Sequence, residues 1–558
     1  MIKNLLAFSA LLLAAFPAAS QTPGSLDQTF GGTGQVIHSP VADDSFDNCQ
    51  AVGVQSTGKT VFCGVSGNWS NFEATVGRLN IDGSLDASFS SNGVFLYNNI
   101  LGGDFMYDLE ILSDDKILIC GATSLSAANT QWALWRLLPD GTLDASFGNG
   151  GVVQWEIEGG EDYAREIIVQ NDGYLVIGGS MPAGFSNERI VAAKWDLNGT
   201  MMTSFGTNAG YTMMSTTNQE DVVARGAAVL PNGSIFIVGS SYSMMDNMDH
   251  PMLAVMAADG TPQTSVDVDG IWIDPAYGRY YRAVFENGHV LACGNRDGGS
   301  YNFMIAAHLG DGSLDNTFAN GGYAIVNNDN IDVLYDIVLQ GDGKILSCGT
   351  TGLGGFGGSR DFCLLRLNAD GSTDNTFGTN GLVVTAVAAG FEDANGLALT
   401  NDFKVVCGGF VQQTNNDFAF ARYHLGDVVL VDGCTDATAC NFNPNANNND
   451  GSCYFVGDPC DDGNMATLND VYNSNCECAG SVTSIDELNN EQYLIYPNPV
   501  KDVVYFKNAN KGMVVLYNQM GSIVLEANLT ENKLNLEELT PGLYQMVVNG
   551  VSISLIKE

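Results

Sequence analysis

Basic side chains are scarce in this chain of 558 residues. There are 22 Lys and Arg against 63 Asp and Glu, a net charge of -41. A surface of that sign repels phosphate backbones and anionic lipid, which excludes nucleic acid and charged membranes as partners. Histidine is scarcer still. His38, His250, His289, His308 and His424 fall far apart, without metal spacing such as H-x-x-x-H. No G-x-S-x-G elbow marks a nucleophilic serine, although a triad assembled across distance stays open. No stretch after residue 16 is apolar for long enough to span a bilayer, and none of the internal repeats shows the 3.6-residue period of a helix. Disorder, the rival reading of strong acidity, is excluded by 45% hydrophobic residues with aromatics spread along the chain.

What is present begins with an address. Lys3 precedes the apolar run LLAFSALLLAAF at 5–16, and PAASQ follows. Ala18 and Ser20 fit the -3 and -1 positions of signal peptidase, so residues 1–20 are expected to be a signal peptide and Gln21 the mature start. The apolar run is too short for a membrane anchor. Export also allows disulfides.

A phrase then recurs: DGSLDASF at 82–89, DGTLDASF at 140–147, DGSLDNTF at 311–318 and DGSTDNTF at 370–377. Its glycines are Gly24, Gly83, Gly141, Gly199, Gly260, Gly312 and Gly371, spaced by about 58 residues. Two copies are degenerate, GTMMTSFG at 199–206 and GTPQTSVD at 260–267. Each unit adds a hairpin such as DIVLQGDGKILSCG, a further strand such as DFCLLRLNADG, and a strand after the phrase such as NGLVVTAV. Four strands repeated seven times predict an all-β seven-bladed β-propeller over residues 21–427. A parallel β-helix has far shorter rungs. The spacing leaves open how the first and last blades share strands. The region resembles the tandem delta-60 repeat of bacterial secreted proteins, which carries the phrase G-S-L-D-x-x-F-G-x-x-G. That resemblance implies a propeller-like array and no active site.

The phrase acids Asp27, Asp86, Asp144, Asp315 and Asp374 recur together with the basic residues Arg78, Arg136, Lys194, Arg366 and Arg422. Catalysis needs one asymmetric site, whereas a copy in each blade suits a joint made of ion pairs or turn hydrogen bonds. These residues are therefore read as a structural repeat, not as calcium ligands or catalytic carboxylates. Cys63, Cys120, Cys293, Cys348 and Cys407 each precede glycine in a strand and exchange with Gly178 and Val238, which suits tight packing. Cys49 with Cys63, and Cys348 with Cys363, are possible cross-strand disulfides. Ligand recognition is expected from the variable loops 67–73, 124–132, 181–189, 242–251 and 352–361, on one face.

After 427 the composition shifts. Residues 428–482 form a Cys-rich linker with Cys434, Cys440, Cys453, Cys460, Cys476 and Cys478, disulfide candidates with fifteen possible pairings. Zinc would need CxxC-like pairs. The stretch NPNANNNDG hints at calcium, as in thrombospondin-type loops, but lacks EF-hand spacing. No other cofactor is expected.

Residues 483–558 contain YLIYPNPVKDVVYF, a hairpin turning at 518–521, and LTPGLY. With Tyr496, Pro497, Asn498, Pro499 and Lys557, this closely resembles the C-terminal sorting domain of the type IX secretion system. The resemblance implies an Ig-like β-sandwich, engagement of that machinery, and a secreted or cell-surface protein of a Bacteroidota-like bacterium. The sequence thus points to an exported, non-catalytic protein that binds a glycan or protein. A carbohydrate- or polymer-acting enzyme and a structural surface-matrix component are the alternatives.

Overall fold

The computed structural model describes residues 22–558 except 42–45, 69–70, 100, 127–128, 185–186, 218–219, 265, 268, 287, 330, 354–358, 427–431, 435–438, 443–447, 450, 461–466, 474–475, 483–493, 508–510 and 530. The leader at 1–20 and part of the NPNANNNDG stretch lie outside these residues. Every regular element among the described residues is a strand. None is a helix long and apolar enough to cross a membrane.

The strands fall into seven successive antiparallel groups of four among the described residues. Blade one is Phe46–Val54, Thr60–Asn68, Asn71–Leu79 and Val94–Tyr97, each paired to the next. The post-phrase strand is therefore the outer edge of the blade before it. The inner strands are Phe46–Val54, Asp104–Ile111, Gly160–Gln170, Asp221–Val229, Gly278–Glu286, Ile331–Leu339 and Phe391–Leu399. Each lies against the inner strand of the next blade, and the seventh lies against the first, so the ring is closed.

The seam is where sequence spacing stopped short. The last blade has three of its strands from 391–424, and its outer edge is the N-terminal strand Gln35–His38, paired antiparallel with Phe418–Ala421. Closure removes the exposed edge that an open array would leave.

Cores lie between blades. Leu346, Phe362 and Leu364 of blade six pack on Leu397, Val405 and Tyr423 of blade seven. Phe30, Phe62 and Leu79 pack on Phe418 and Phe420 across the seam. Fully burying one such side chain contributes roughly 1.5–3 kcal/mol, so each interface depends on both of its blades.

The chain forms two compact units. The first runs to Gly433 and takes in Asn448–Asn449, which bridge to Asp432–Gly433. In the second, three disulfides join Cys434 to Cys453, Cys440 to Cys476 and Cys460 to Cys478. Its C-terminal part is a sandwich. A three-stranded sheet of Leu494–Tyr496, Val503–Lys507 and Lys533–Asn535 accompanies a four-stranded sheet of Ile523–Leu529, Gly512–Tyr517, Gly542–Val548 and Val551–Lys557. Val504, Phe506, Leu516, Met546 and Leu555 fill the space between. Asn498 ties the Tyr-Pro-Asn-Pro corner to the last strand, donating to the Ser554 carbonyl and accepting from the Ile556 amide, both at 2.8 Å.

The cysteines of the propeller are free and buried, Cys49, Cys63, Cys348 and Cys363 included. Cys63 and Cys363 sit opposite Ala51 and Gly349, not opposite the other cysteine. The cross-strand bridges that the sequence left open are thus absent. A thiol reagent is expected to find no accessible thiol in the native protein, seven after denaturation, and thirteen after denaturation with reductant. Titration of the denatured chain before and after reduction checks this.

Candidate functional site

The repeated phrase builds the joints. Its glycines all take positive φ, from +82° to +88°, which favours glycine. The Gly83 position faces Phe30 of the preceding blade, and Gly141 faces Phe89, so any side chain there would strike the ring. Arg78 donates from Nε to Asp86 at 2.7 Å and from Nη1 to the Pro139 carbonyl of the next blade at 2.5 Å. Its guanidinium lies 4.8 Å from the Phe89 ring centroid. Arg136 with Asp144, and Arg366 with Asp374, repeat this arrangement. Arg422 with Asp27 makes it across the seam, 395 residues apart, at 2.8 Å.

Three blades depart from the pattern, and one of them has Val255 and Gln263 in place of the base and the acid. Asp315 meets His289 at 3.1 Å. Lys194, whose unit has Met202 in place of the acid, pairs instead with Asp172 at 2.8 Å.

Burial opposes ionisation of these acids, yet hydrogen bonds and nearby cations outweigh it. The hydroxyl and amide of Ser146, with Arg136, hold the Asp144 carboxyl at about 2. Thr376, Arg366 and Lys344 do the same for Asp374. Asp27 and Asp86 titrate lower still.

The axis carries a different, asymmetric set of side chains. Every inner strand has a β-bulge at the same height, which inserts Gln50, Tyr107, Arg165, Arg225, Tyr281, Tyr335 and Asn395. Opposite each bulge stands a glycine of the second strand: Gly64, Gly121, Gly178, Gly239, Gly294, Gly349 or Gly409. A Cβ there would run into an inner-strand carbonyl oxygen.

The seven inserted residues share one level around the axis, and three consecutive ones touch. The Arg225 guanidinium sits 5.1 Å from the Tyr281 ring centroid, and Tyr281 packs edge-on against Tyr335 at 5.0 Å. Arg165 pairs with Glu188 and reaches the Ala224 carbonyl at 3.3 Å. Asn395 donates to Asn48 Oδ1 and the Cys49 carbonyl. Strand registers place the variable loops at the end of the blade where inner strands begin. The phrase and the hairpin turns lie at the opposite end.

One residue further along each inner strand, a single guanidinium meets three carboxylates. Arg282 contacts Asp108 at 2.5 Å, Glu166 at 3.0 Å and Asp336 at 3.8 Å. Each carboxylate also accepts a backbone amide from the next blade: Ile167 to Asp108, Ala227 to Glu166 and Leu397 to Asp336, at 2.8–3.0 Å. Gly226 occupies the same level because any side chain would strike the Arg282 backbone.

Towards the phrase end lies a cavity of about 360 Å³, lined by Val54, Ile111, Val284, Val338 and Glu110. Burial, then the charge of Asp108, pushes the Glu110 carboxyl up to about 8. Burial, against the pull of Arg282, likewise raises Glu166 to about 8.

The two sets of acids predict opposite pH limbs. Groups depressed in the fold lose their stabilising effect as pH drops through the folded value, so stability falls from the ordinary aspartate value of 3.8 towards about 2. Groups raised in the fold favour the native state below their unfolded value, and that contribution is lost as pH rises from 4.5 to about 8. Melting temperature should therefore peak between these limbs and fall towards neutrality, which a thermal melt against pH measures. In Glu110→Gln the alkaline limb should be shallower.

No group of His, Cys, Asp and Glu among the described residues is arranged to hold a metal ion. Sequence reading placed the joint residues but missed the axial ring and the Arg282 cluster. The repeated Gly after Cys was the available signal, since a glycine inside a strand often marks a bulge or a close backbone approach.

Residues 112–147 and 340–377 match the family described as "Domain of unknown function (DUF5122) beta-propeller". Residues 494–558 match the secretion system C-terminal sorting domain. No curated protein matches the chain in sequence.

Among solved structures, the chain is similar to an ulvan lyase of a new polysaccharide lyase family, with 12% identity, 70% of this chain and 96% of that one covered, and a TM-score of 0.41. It is similar to an α-L-arabinanase of Penicillium chrysogenum, with 11% identity, 73% and 99% covered, and a TM-score of 0.36. It is also similar to the β-propeller domain of the Trilobed protease of Pyrococcus furiosus, with 10% identity, 69% and 99% covered, and a TM-score of 0.35.

Phrase, blades and C-terminal sandwich converge: two stretches of the propeller match the DUF5122 β-propeller family and the C-terminal sandwich matches the type IX secretion sorting domain, which marks a secreted or outer surface-attached protein.

Proposed function

We propose that the propeller is a non-catalytic binding module that meets a glycan or protein outside the cell. The observation that carries this reading is the contrast between joints and axis. The phrase acids repeat from blade to blade and are occupied by ion pairs and turn hydrogen bonds. The bulge ring sits on the same frame but varies through Gln, Tyr, Arg and Asn, the residue types that recognise polar ligands with aromatic faces. The bulges lie midway along the inner strands, and the variable loops lie beyond the ends where those strands begin.

A glycan array probed with the mature chain tests the reading. Specific signal that disappears in Tyr335→Ala while the fold is kept supports it. An array without signal, together with turnover of a polysaccharide, removes it.

Glu110 favours a second reading, a polymer-acting enzyme. Its carboxyl stays protonated at neutral pH beside the Asp108 carboxylate in a cavity that Arg282, Glu166 and Asp336 also line, a pairing that suits general acid catalysis. Polysaccharide turnover abolished by Glu110→Gln would establish it.

A further inference from the structure

Among the described residues, Arg225 is the one arginine without an ion pair. Each of the other arginines lies within 4.0 Å of a carboxylate. Among the described residues, Arg225 has no ion pair, and its Nε is buried without a hydrogen-bond acceptor. In a chain of net charge -41, a buried guanidinium nitrogen without an acceptor is costly to keep unless something else supplies one.

The surroundings are built rather than accidental. Arg225 is a bulge residue, so the fold fixes its backbone. Tyr281 lies under its guanidinium at 5.1 Å. The same Tyr281 accepts a hydrogen bond from Arg279, whose Nη2 is held by Asp249 at 2.5 Å. Arg279 then lines a polar concavity of about 210 Å³ with Asn247, Asn295, Asp297 and Tyr301. Burial and the neighbouring charges of Arg165 and Arg279 depress the Arg225 guanidinium, against favourable contributions from Tyr281 and Glu188. A bound oxyanion would relieve both effects.

We propose that Arg225 takes the carboxylate or sulfate of an acidic saccharide, with Tyr281 beneath it and the Arg279-lined concavity receiving the sugar ring. This rests on the binding reading above and names its ligand class. The charge balance sharpens it further. A long polyanion would be repelled by the whole surface, whereas a single oxyanion is governed by groups within about 8 Å at physiological ionic strength. The ligand is therefore a sugar carrying one acidic group, not a densely charged strand.

Calorimetric titration of the mature chain with glucuronic acid, glucose 6-sulfate and glucose tests this. One or both acidic sugars should bind, and which of them does distinguishes carboxylate from sulfate. Glucose should bind at least about tenfold more weakly, the weight of one charge-assisted hydrogen bond. Arg225→Gln should lose the same factor with its melting temperature kept, and Arg225→Lys should retain part of the binding. If glucose binds as well as the acidic sugars, or Arg225→Gln binds them unchanged, the inference falls while the binding reading stands. If the acidic sugars do not bind and the array shows only neutral glycans, the inference alone falls. An empty array together with turnover of a polysaccharide removes both.

Discussion

Asp27→Ala should destabilise the propeller by roughly 3–5 kcal/mol, the usual cost of leaving a buried charge without its partner. Asp27 is nearly inaccessible and sits among three basic groups. Arg422 lies at 2.7 Å, Lys404 at 3.1 Å and His424 at 3.6 Å. Removing the carboxylate strands Arg422, itself 4% exposed in the side chain. The location magnifies the effect, because the pair lies beside the short strand Gln35–His38 that closes the ring.

The same substitution at Asp315 is a built-in control. Its partner His289 is 37% exposed, so the loss there should be within about 1 kcal/mol. Denaturant unfolding of the two variants gives the comparison. Limited proteolysis should cut Asp27→Ala first near the seam. Equal, small losses at both positions would show that the joints contribute little and that blade packing alone closes the ring.

Deleting residues 494–558 should have the largest effect on the living cell. The sandwich has its own core, and it is the segment that matches the sorting domain. Its loss should leave a folded propeller that no longer reaches the surface or the medium. Fractionation with an antibody to the propeller measures this. Trapped protein that still melts cooperatively is the expected result, since the cores of the first unit lie between blades. Normal surface display of the shortened chain would break the link between this domain and export.

The legibility of the fold follows from what each feature does physically. Gly83 and its counterparts could be counted because a positive φ beside a neighbour's ring admits little but glycine. Leu, Asp and Phe recur beside it because four of the blades make the same joint, so the repeat was written in the residues themselves. The seam was not, since Gln35–His38 pairs with a strand some 380 residues away and nothing in its composition says so.

The axial ring was hidden for a different reason. A bulge shifts the alternation by one residue, so Arg225 and Tyr281 fall where a strand pattern expects an ordinary inward or outward position. Only the pairing reveals that seven side chains of four types share one level. Arg282 shows the same limit, because its partners Asp108, Glu166 and Asp336 come from three different blades.

The central claim is that the constant phrase holds the ring together while the varied ring on the axis meets the ligand. Glycan-array binding of the mature chain, measured beside Asp86→Ala at a joint and Tyr335→Ala on the axis, tests it most directly. The account predicts that Asp86→Ala melts earlier yet binds normally below its melting point, and that Tyr335→Ala loses binding with little change in stability. Binding that follows the joint variant and ignores the axial one would contradict it.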